Sequence, residues 1–408
     1  MNKKDIVNRH SLVIGRIVGD IRFKLTSDDG EYPEDDEIYK LIEDELFNDC
    51  QMSLLSAFET KVIIESSFIR IKNKYGVLTE LLDCSSVNEI MVNGPGDIFA
   101  EQNGELVRID NAFLSEGELE EIIRMLASDV HREINEASPI VDARLPAGYR
   151  VNGVLNNVAL NGPILTIRKF SENDITLDDL IYSGSISEEC AEMLSNLVRC
   201  GYNVFISGGT SSGKTTFLNA LSMKIGRQER VVIIEDSAEL KINNVVNKVH
   251  MECRNANSIG KGEVNMQMLI KTSLRMRPDR IIVGEVRGKE VVDMIQAMNT
   301  GHSGSMSTGH GNSIKGMLNR LETMYLMDAQ IPLYSVKNQI ANAIDIMVHL
   351  QRDSKGHRGV VEVAELCGYD GNDYNLNYLY QRNSDGALIG TGKSLVDRNR
   401  LERGSVYD

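Results

Sequence analysis

The stretch Gly208-Gly-Thr-Ser-Ser-Gly-Lys-Thr-Thr216 decides how this chain is read. It follows Asn203–Ser207, an apolar run of strand length, and it opens a helical pattern that begins at Lys214. Gly-x-x-x-x-Gly-Lys-Thr between a strand and a helix is a phosphate-binding loop. Glycines let successive backbone N–H groups turn inward around phosphate oxygens, and the helix N-terminus adds its positive end. Gly208, Gly209, Thr210, Ser211, Ser212, Gly213, Lys214, Thr215 and Thr216 are therefore the expected nucleotide-binding residues. Lys214 is placed to reach the β- and γ-phosphates of ATP, and the Thr215 hydroxyl to hold Mg²⁺. A chance glycine-rich turn would not need a strand before it and a helix after it.

Downstream, Arg280-Ile-Ile-Val-Gly-Glu285 is an apolar strand that ends in an acid. The end of a buried parallel strand is the edge at which such sheets bind ligands. Glu285 is expected there as a Mg²⁺ ligand, directly or through water, or as the group that positions the attacking water. Val231-Val-Ile-Ile-Glu235-Asp236 repeats the pattern, and its acids could equally cap the following segment. Two acidic strand ends beside a phosphate loop point to shared metal and water-activation roles; which of Glu235 and Glu285 is the base stays open. Gly301-His302-Ser-Gly-Ser-Met-Ser-Thr-Gly-His310 sets two histidines in a segment with few bulky residues. They read as a γ-phosphate sensor, and the lack of Cys, Asp or Glu within that segment argues against a metal site.

Around the loop, strand and helix patterns alternate from about residue 187, with further strands at Arg230–Glu235 and Arg280–Gly284. Alternation of this kind predicts an α/β unit with a mostly parallel sheet covered by helices, spanning 187–408. The Ser-, Asn-, Asp- and Gly-bearing stretch 171–186 reads as a linker. Before it, 77–170 reads as a small α+β domain. Strands are expected at 88–93, 98–102, 105–109, 140–145, 150–158 and 164–169. Asn103-Gly104 signals a hairpin, and Ser115 with Glu118 forms a capping box that opens a helix to about Asp129. Residues 1–76 form an acidic, helical N-terminal segment. From Asp28 to Asp49 there are eleven Asp or Glu and one Lys, a solvated linker leading into a helix. Apolar spacing predicts amphipathic helices at 36–50 and 53–73.

The 408 residues carry 42% hydrophobic and 25% charged side chains, ordinary values for a globular protein. A net charge of −15, a pI near 5.1, 5% aromatics and no Trp argue against a nucleic-acid partner, whose grooves combine basic charge with stacking rings. The six cysteines are scattered single thiols without Cys-x-x-Cys, as in reduced cytoplasmic proteins. No stretch approaches the roughly 20 apolar residues of a membrane helix. Work at a membrane would then require a partner that holds the chain there.

With these residues in place the chain resembles a secretion-superfamily ATPase of the CpaF type, which powers Tad/Flp pilus assembly. The resemblance covers residues 77 to about 390. Its signposts are Asn88-Glu-Ile-Met-Val-Asn-Gly-Pro95, Ser138-Pro-Ile-Val-Asp-Ala-Arg-Leu-Pro146, Leu165-Thr-Ile-Arg-Lys-Phe170 and Ile234-Glu-Asp-Ser-Ala-Glu-Leu240. They continue with Leu274 to Gly288, Ala297 to His302, Asn319-Arg-Leu-Glu-Thr-Met324 and Gln339 to Asp345. The resemblance assigns Glu235 to an Asp box, Glu285 to a Walker B strand, and His302 and His310 to a His box. It makes Arg144 and Arg150 the amino-domain arginines that approach the γ-phosphate, where plain solvated arginines are the alternative. It implies a RecA-like P-loop motor joined to a small α/β amino domain, often behind a helical bundle, in a homo-hexamer. The expected setting is cytoplasmic and peripheral, against an inner-membrane platform protein. One departure stands out. The family usually carries a bulky apolar residue before the second box histidine and Ala after it, whereas this chain has Gly309 and Gly311, which implies a looser sensor.

The leading expectation is thus a hexameric ATPase driving pilin polymerisation or protein export. Its sister is a conjugation-type (type IV) secretion ATPase. More distant classes are a RecA-like nucleic-acid motor, disfavoured by charge, and a nucleotide-dependent scaffold, disfavoured by the intact Lys214, Thr215, Glu235 and Glu285.

Overall fold

The computed structural model describes residues 2–27, 33–48, 55–103, 105–169, 175–254, 261–353, 356–383 and 385–404. The chain divides into two compact units, Met1–Ser171 and Glu172–Asp408.

The first unit begins with helices α1 (Lys3–Arg9), α2 (Ser11–Ser27), α3 (Asp35–Phe47) and α4 (Ala57–Lys72). The acidic run continues into α3. Asp35, Asp36 and Glu37 fill its first turn, where carboxylates favour the helix dipole. Ile38, Ile42 and Leu46, spaced four apart, bury the opposite face. Asp28, Asp29, Glu31 and Asp49 lie outside the described residues. A reciprocal capping box between Ser56 and Glu59 starts α4. Ile6, Ile14, Ile17, Ile21, Ile38 and Ile63 meet in the core of these helices. Neither α1 nor α2 was expected as a separate helix, because the segment opens with polar residues.

A turn at Gly76–Leu78 and the short α5 (Thr79–Asp83) lead into an antiparallel sheet. Its strands are β1 (Val87–Asn93), β2 (Ile98–Gln102), β3 (Glu105–Arg108), β4 (Ile140–Arg144), β5 (Arg150–Val154) and β6 (Ile164–Arg168), with α6 (Glu116–Ser128) after β3. Among the described residues the order is β3-β2-β1-β6-β5-β4. The β2–β3 hairpin closes at Gln102↔Glu105, with Asn103 at φ 54° and Gly104 outside the described residues. Strand β5 stops at Val154 rather than 158, because Val158 N and Ala159 N turn back to the Leu155 carbonyl. The capping box at Ser115 is only half formed. Ser115 Oγ accepts from Glu118 N, but Glu118 turns to Leu114 N and to the buried Arg70 at 2.7 Å. An unpaired buried guanidinium would cost more than the lost half of a cap.

The second unit holds α7 (Leu177–Tyr182), α8 (Glu188–Arg199), β7 (Val204–Gly208), α9 (Lys214–Ser222), β8 (Arg230–Glu235), β9 (Asn247–Glu252), α10 (Met266–Ser273), β10 (Arg280–Val283) and α11 (Val291–Asn299). It continues through β11 (Met306–His310), α12 (Ile314–Leu326), α13 (Leu333–Ala343), β12 (Ile346–Arg352), β13 (Arg358–Tyr369), β14 (Tyr374–Arg382), β15 (Leu388–Gly390) and α14 (Asn399–Gly404). The described strands form one sheet in the order β15-β14-β13-β12-β7-β11-β10-β8-β9. From β12 to β9 every pair is parallel. Strands β13 to β15 extend it antiparallel. The central strands β7 and β10 are buried along their whole length, as parallel strands covered on both faces must be. Helices α10 to α13 cover one face, and α7 to α9 the other. This α/β architecture is the one expected; the antiparallel extension was not.

Candidate functional site

Strands β7, β8, β10 and β11 run parallel, so Gly208, Glu235, Glu285 and His310 come to the same sheet edge. Local geometry then shapes the loop. Gly213 has φ 91°, which suits glycine, and Ser211 tolerates φ 58°. At Gly208 a Cβ would lie 2.4 Å from Ser212 Oγ and 2.6 Å from the Leu350 carbonyl, so only glycine allows the strand to turn there.

Lys214 is almost fully buried, and its Nζ folds back onto the loop, donating to Gly209 O at 3.0 Å and Gly208 O at 3.3 Å. The same ammonium lies 3.3 Å from His310 Nδ1. His310 Nε2 in turn is 2.8 Å from Glu285 Oε1, in contact but off the line of a hydrogen bond, so that buried oxygen has no directed donor. Glu285 Oε2 accepts from Arg287 Nη2 at 2.9 Å, and Arg287 Nη1 reaches Asp236 Oδ2 at 3.6 Å. Burial lowers the pKa of Lys214, partly offset by Glu285. Burial also lowers that of His310, reinforced by the charges of Lys214, Arg287 and Arg320 against the pull of Glu285. A neutral His310 accepts from Lys214 at Nδ1, consistent with both shifts.

Glu235 is placed differently. Its carboxylate is buried, with Oε1 accepting from Glu239 N at 3.0 Å and Leu240 N at 3.2 Å, and Oε2 lying 2.6 Å from His250 Nε2. Those contacts turn it away from the Lys214–His310–Glu285 chain, although Gly284 N still binds the Ile234 carbonyl beside it. Asp236, not Glu235, shares Arg287 with Glu285. His302 is not brought to the loop either. It precedes β11 at the opposite end of the sheet, with Nδ1 3.2 Å from the Ala297 carbonyl. Of the two histidines expected as a sensor pair, only His310 stands at this unit's loop.

The two glycines around His310 leave no slack. A Cβ at Gly309 would meet Met317 Cε at 2.8 Å and Phe205 Cζ at 3.0 Å, and one at Gly311 would meet Met317 Cβ at 3.0 Å. The fully buried Met317 of α12 occupies the space that larger residues at these two positions would fill.

Cavities flank the loop on two sides. One, about 810 Å³, is lined by Gly209, Thr210, Arg287, His310, Asn319 and Arg320 among others, and carries positive charge beside the phosphate position. The other, about 430 Å³, presents Ile175, Leu180, Phe217 and Leu350 with Ser212 and Arg358. It has the size and apolar walls of a nucleobase site. Ser212 Oγ is buried there without a partner among the described residues. The oxygen donors Thr215 and Glu285 suit a hard cation. Among the described residues no cluster of three or more His, Cys, Asp or Glu could hold a metal by itself. That donor set fits Mg²⁺ carried by nucleotide phosphates rather than by a protein cage.

In the first unit, the β4–β5 hairpin pairs Arg144 with Arg150, and β6 sets Arg168 beside Arg150. Like charges in one cross-strand row repel unless an anion meets them. Arg150 is exposed, while Arg144 Nε donates to Gly148 O at 3.2 Å. Arg287, His250 and Arg168 were not singled out from sequence, although Arg287 and Arg168 stand inside the quoted motifs.

Residues 72–372 match the family of type II/IV secretion system proteins. The conjugal transfer protein TrbB of Rhizobium radiobacter is 35% identical over 309 residues, 74% of this chain and 91% of that protein. The type IV secretion system protein PtlH of Bordetella pertussis is 31% identical over 295 residues, 66% of this chain and 87% of that protein. Among solved structures, the Legionella pneumophila ATPase DotB shares the fold with a TM-score of 0.53 at 20% identity, over 71% of this chain and 79% of that one. These relatives support the superfamily that the motifs point to and do not single out the pilus branch within it. The chain belongs to the type II/IV secretion system protein family, and it is an ATPase.

Proposed function

We propose that the chain is one subunit of a homo-hexameric, cytoplasmic motor that turns ATP hydrolysis into protein export through an inner-membrane platform. The observation that carries the chemistry is the unbroken run of contacts Lys214–His310–Glu285–Arg287 at the phosphate loop. In this reading the loop amides and Lys214 bind the β- and γ-phosphates, and Glu285 orients and deprotonates the attacking water. His310 reports the γ-phosphate, and Arg287 holds Glu285 in its rotamer. Glu235 positions the 236–240 segment. Arg144 and Arg150 are assigned to stabilising charge on the transferring phosphoryl group. Mg²⁺, held by Thr215 and by Glu285 directly or through water, would neutralise charge on the phosphate oxygens.

The names of TrbB and PtlH favour a conjugation-type (type IV) secretion system as the setting. A Tad/Flp pilus motor of the CpaF type is the second reading, supported by the Asn93-Gly-Pro95 and 138–146 motifs. Among the described residues no helix is long and apolar enough to cross a membrane.

Phosphate release by Lys214→Ala and Glu285→Gln tests the chemistry. Lys214→Ala is expected to abolish turnover. Glu285→Gln should retain ATP binding and lose about 10²-fold in kcat; near-normal rates in either would overturn the assignment. Cross-linking followed by identification of co-purifying membrane proteins separates the settings, a pilus-type platform protein deciding for the second.

A further inference from the structure

We propose that His349, outside every motif above, is a positioning residue that pins the γ-phosphate sensor to the strand beneath the phosphate loop. Strands β12, β7 and β11 lie side by side, and their register sets His349 next to Ser207, and Ser207 next to Gly309. Ser207 immediately precedes the loop, and Gly309 immediately precedes His310. The His349 side chain is buried, with Nδ1 2.8 Å from Ser207 Oγ. The backbone of Asn312, two residues beyond His310, is near enough to act on the ring's proton affinity. A neutral imidazole accepts the serine hydroxyl proton at Nδ1 and keeps a donor at Nε2. Burial lowers the ring's pKa and so favours the neutral form, against the opposing pull of Glu362 and the Asn312 backbone and with a smaller push from Lys214. Leu350 pairs with Gly208 across β12 and β7, and Gly311 N closes the arrangement onto Gly208 O at 3.3 Å. One buried ring thus holds the residue that enters the loop and, through the pairing of Ser207 with Gly309, the strand that carries His310, so the distance between Lys214 and His310 depends on it.

The proposal rests on His310 as the γ-phosphate contact, so His310→Ala serves as the control. His349→Leu should lower kcat about tenfold or more while KM for ATP moves less than about threefold, because the loop amides stay in place. His349→Gln, which keeps a donor and an acceptor, should restore kcat to within about threefold of wild type. Ser207→Ala removes the same hydrogen bond and should lower kcat in the same sense. It keeps the proposal testable should His349→Leu fail to fold. Wild-type kcat in Ser207→Ala or His349→Leu overturns the positioning role, as does His349→Gln falling as far as His349→Leu at an unchanged unfolding midpoint. If His310→Ala itself retains wild-type kcat, the sensor reading fails instead.

Discussion

At the scale of single residues, the two strand-end glutamates have separated into different environments. Glu285 has one oxygen on Arg287 and the other facing His310, whereas Glu235 spends both on the 239–240 amides and His250. Glu235→Gln removes charge-assisted acceptors from a buried site, a loss of about 1.5–3 kcal/mol. It should lower the unfolding midpoint measurably and reduce kcat less than Glu285→Gln does. A larger kcat loss than Glu285→Gln at an unchanged midpoint would reverse the two roles. The pH dependence follows from His310. Its folded pKa is depressed by burial, so the folded state binds this proton more weakly than an unfolded histidine near about 6.5. The stability that the neutral ring contributes is complete above that value and is lost as pH falls through the window below it. The acid limb of kcat should therefore lie below about 6.5; a limb at or above neutrality would show that the charged ring is the working form.

At the scale of elements, α12 and β11 act as one piece. Met317 covers both glycines that flank His310, and Asn319 and Arg320 of the same helix line the cavity beside the loop. Movement of β11 must move α12, since close-packed side chains transmit displacement. Gly309→Val should force Met317 and Phe205 aside at a cost of about 1–3 kcal/mol. Adding Met317→Ala should return much of that loss, so the double variant is expected to be more stable than Gly309→Val alone. Additive losses in thermal unfolding would mean that the two positions do not share the space.

For the whole molecule, the arginine row of the first unit and the phosphate loop of the second belong to separately folded parts of the chain. We expect hydrolysis to require both. Arg144→Ala or Arg150→Ala should leave nucleotide affinity within about tenfold and cut turnover by about 10²–10³, the range of transition-state charge contacts. Specific activity should rise with protein concentration as rings assemble. A chain truncated to begin near residue 172, so that α7 is kept, that hydrolyses ATP as fast as the full-length protein would show that the arginines take no part.

The sequence alone determined what depends on contiguous residues. Gly208 to Thr216 needs only its own backbone and the strand and helix beside it, so loop, ligand class and local fold could be read together. The strand ends at Glu235 and Glu285 were legible for the same reason, because unbroken apolar runs mark buried parallel strands. The edge strand β9, whose side chains alternate in exposure, and the antiparallel β13 to β15 gave weaker patterns and were not read. Tertiary structure decided whatever depends on strand order. It sent His302 and His310 to opposite ends of β11, because a strand of five residues separates the ends of a sheet by about 17 Å. It turned Glu235 inward, since buried backbone amides at 239 and 240 need an acceptor. It also placed His349, more than 130 residues beyond the loop, beneath Ser207. Register across three parallel strands fixes that neighbour, and no local pattern encodes register between strands so far apart in the chain.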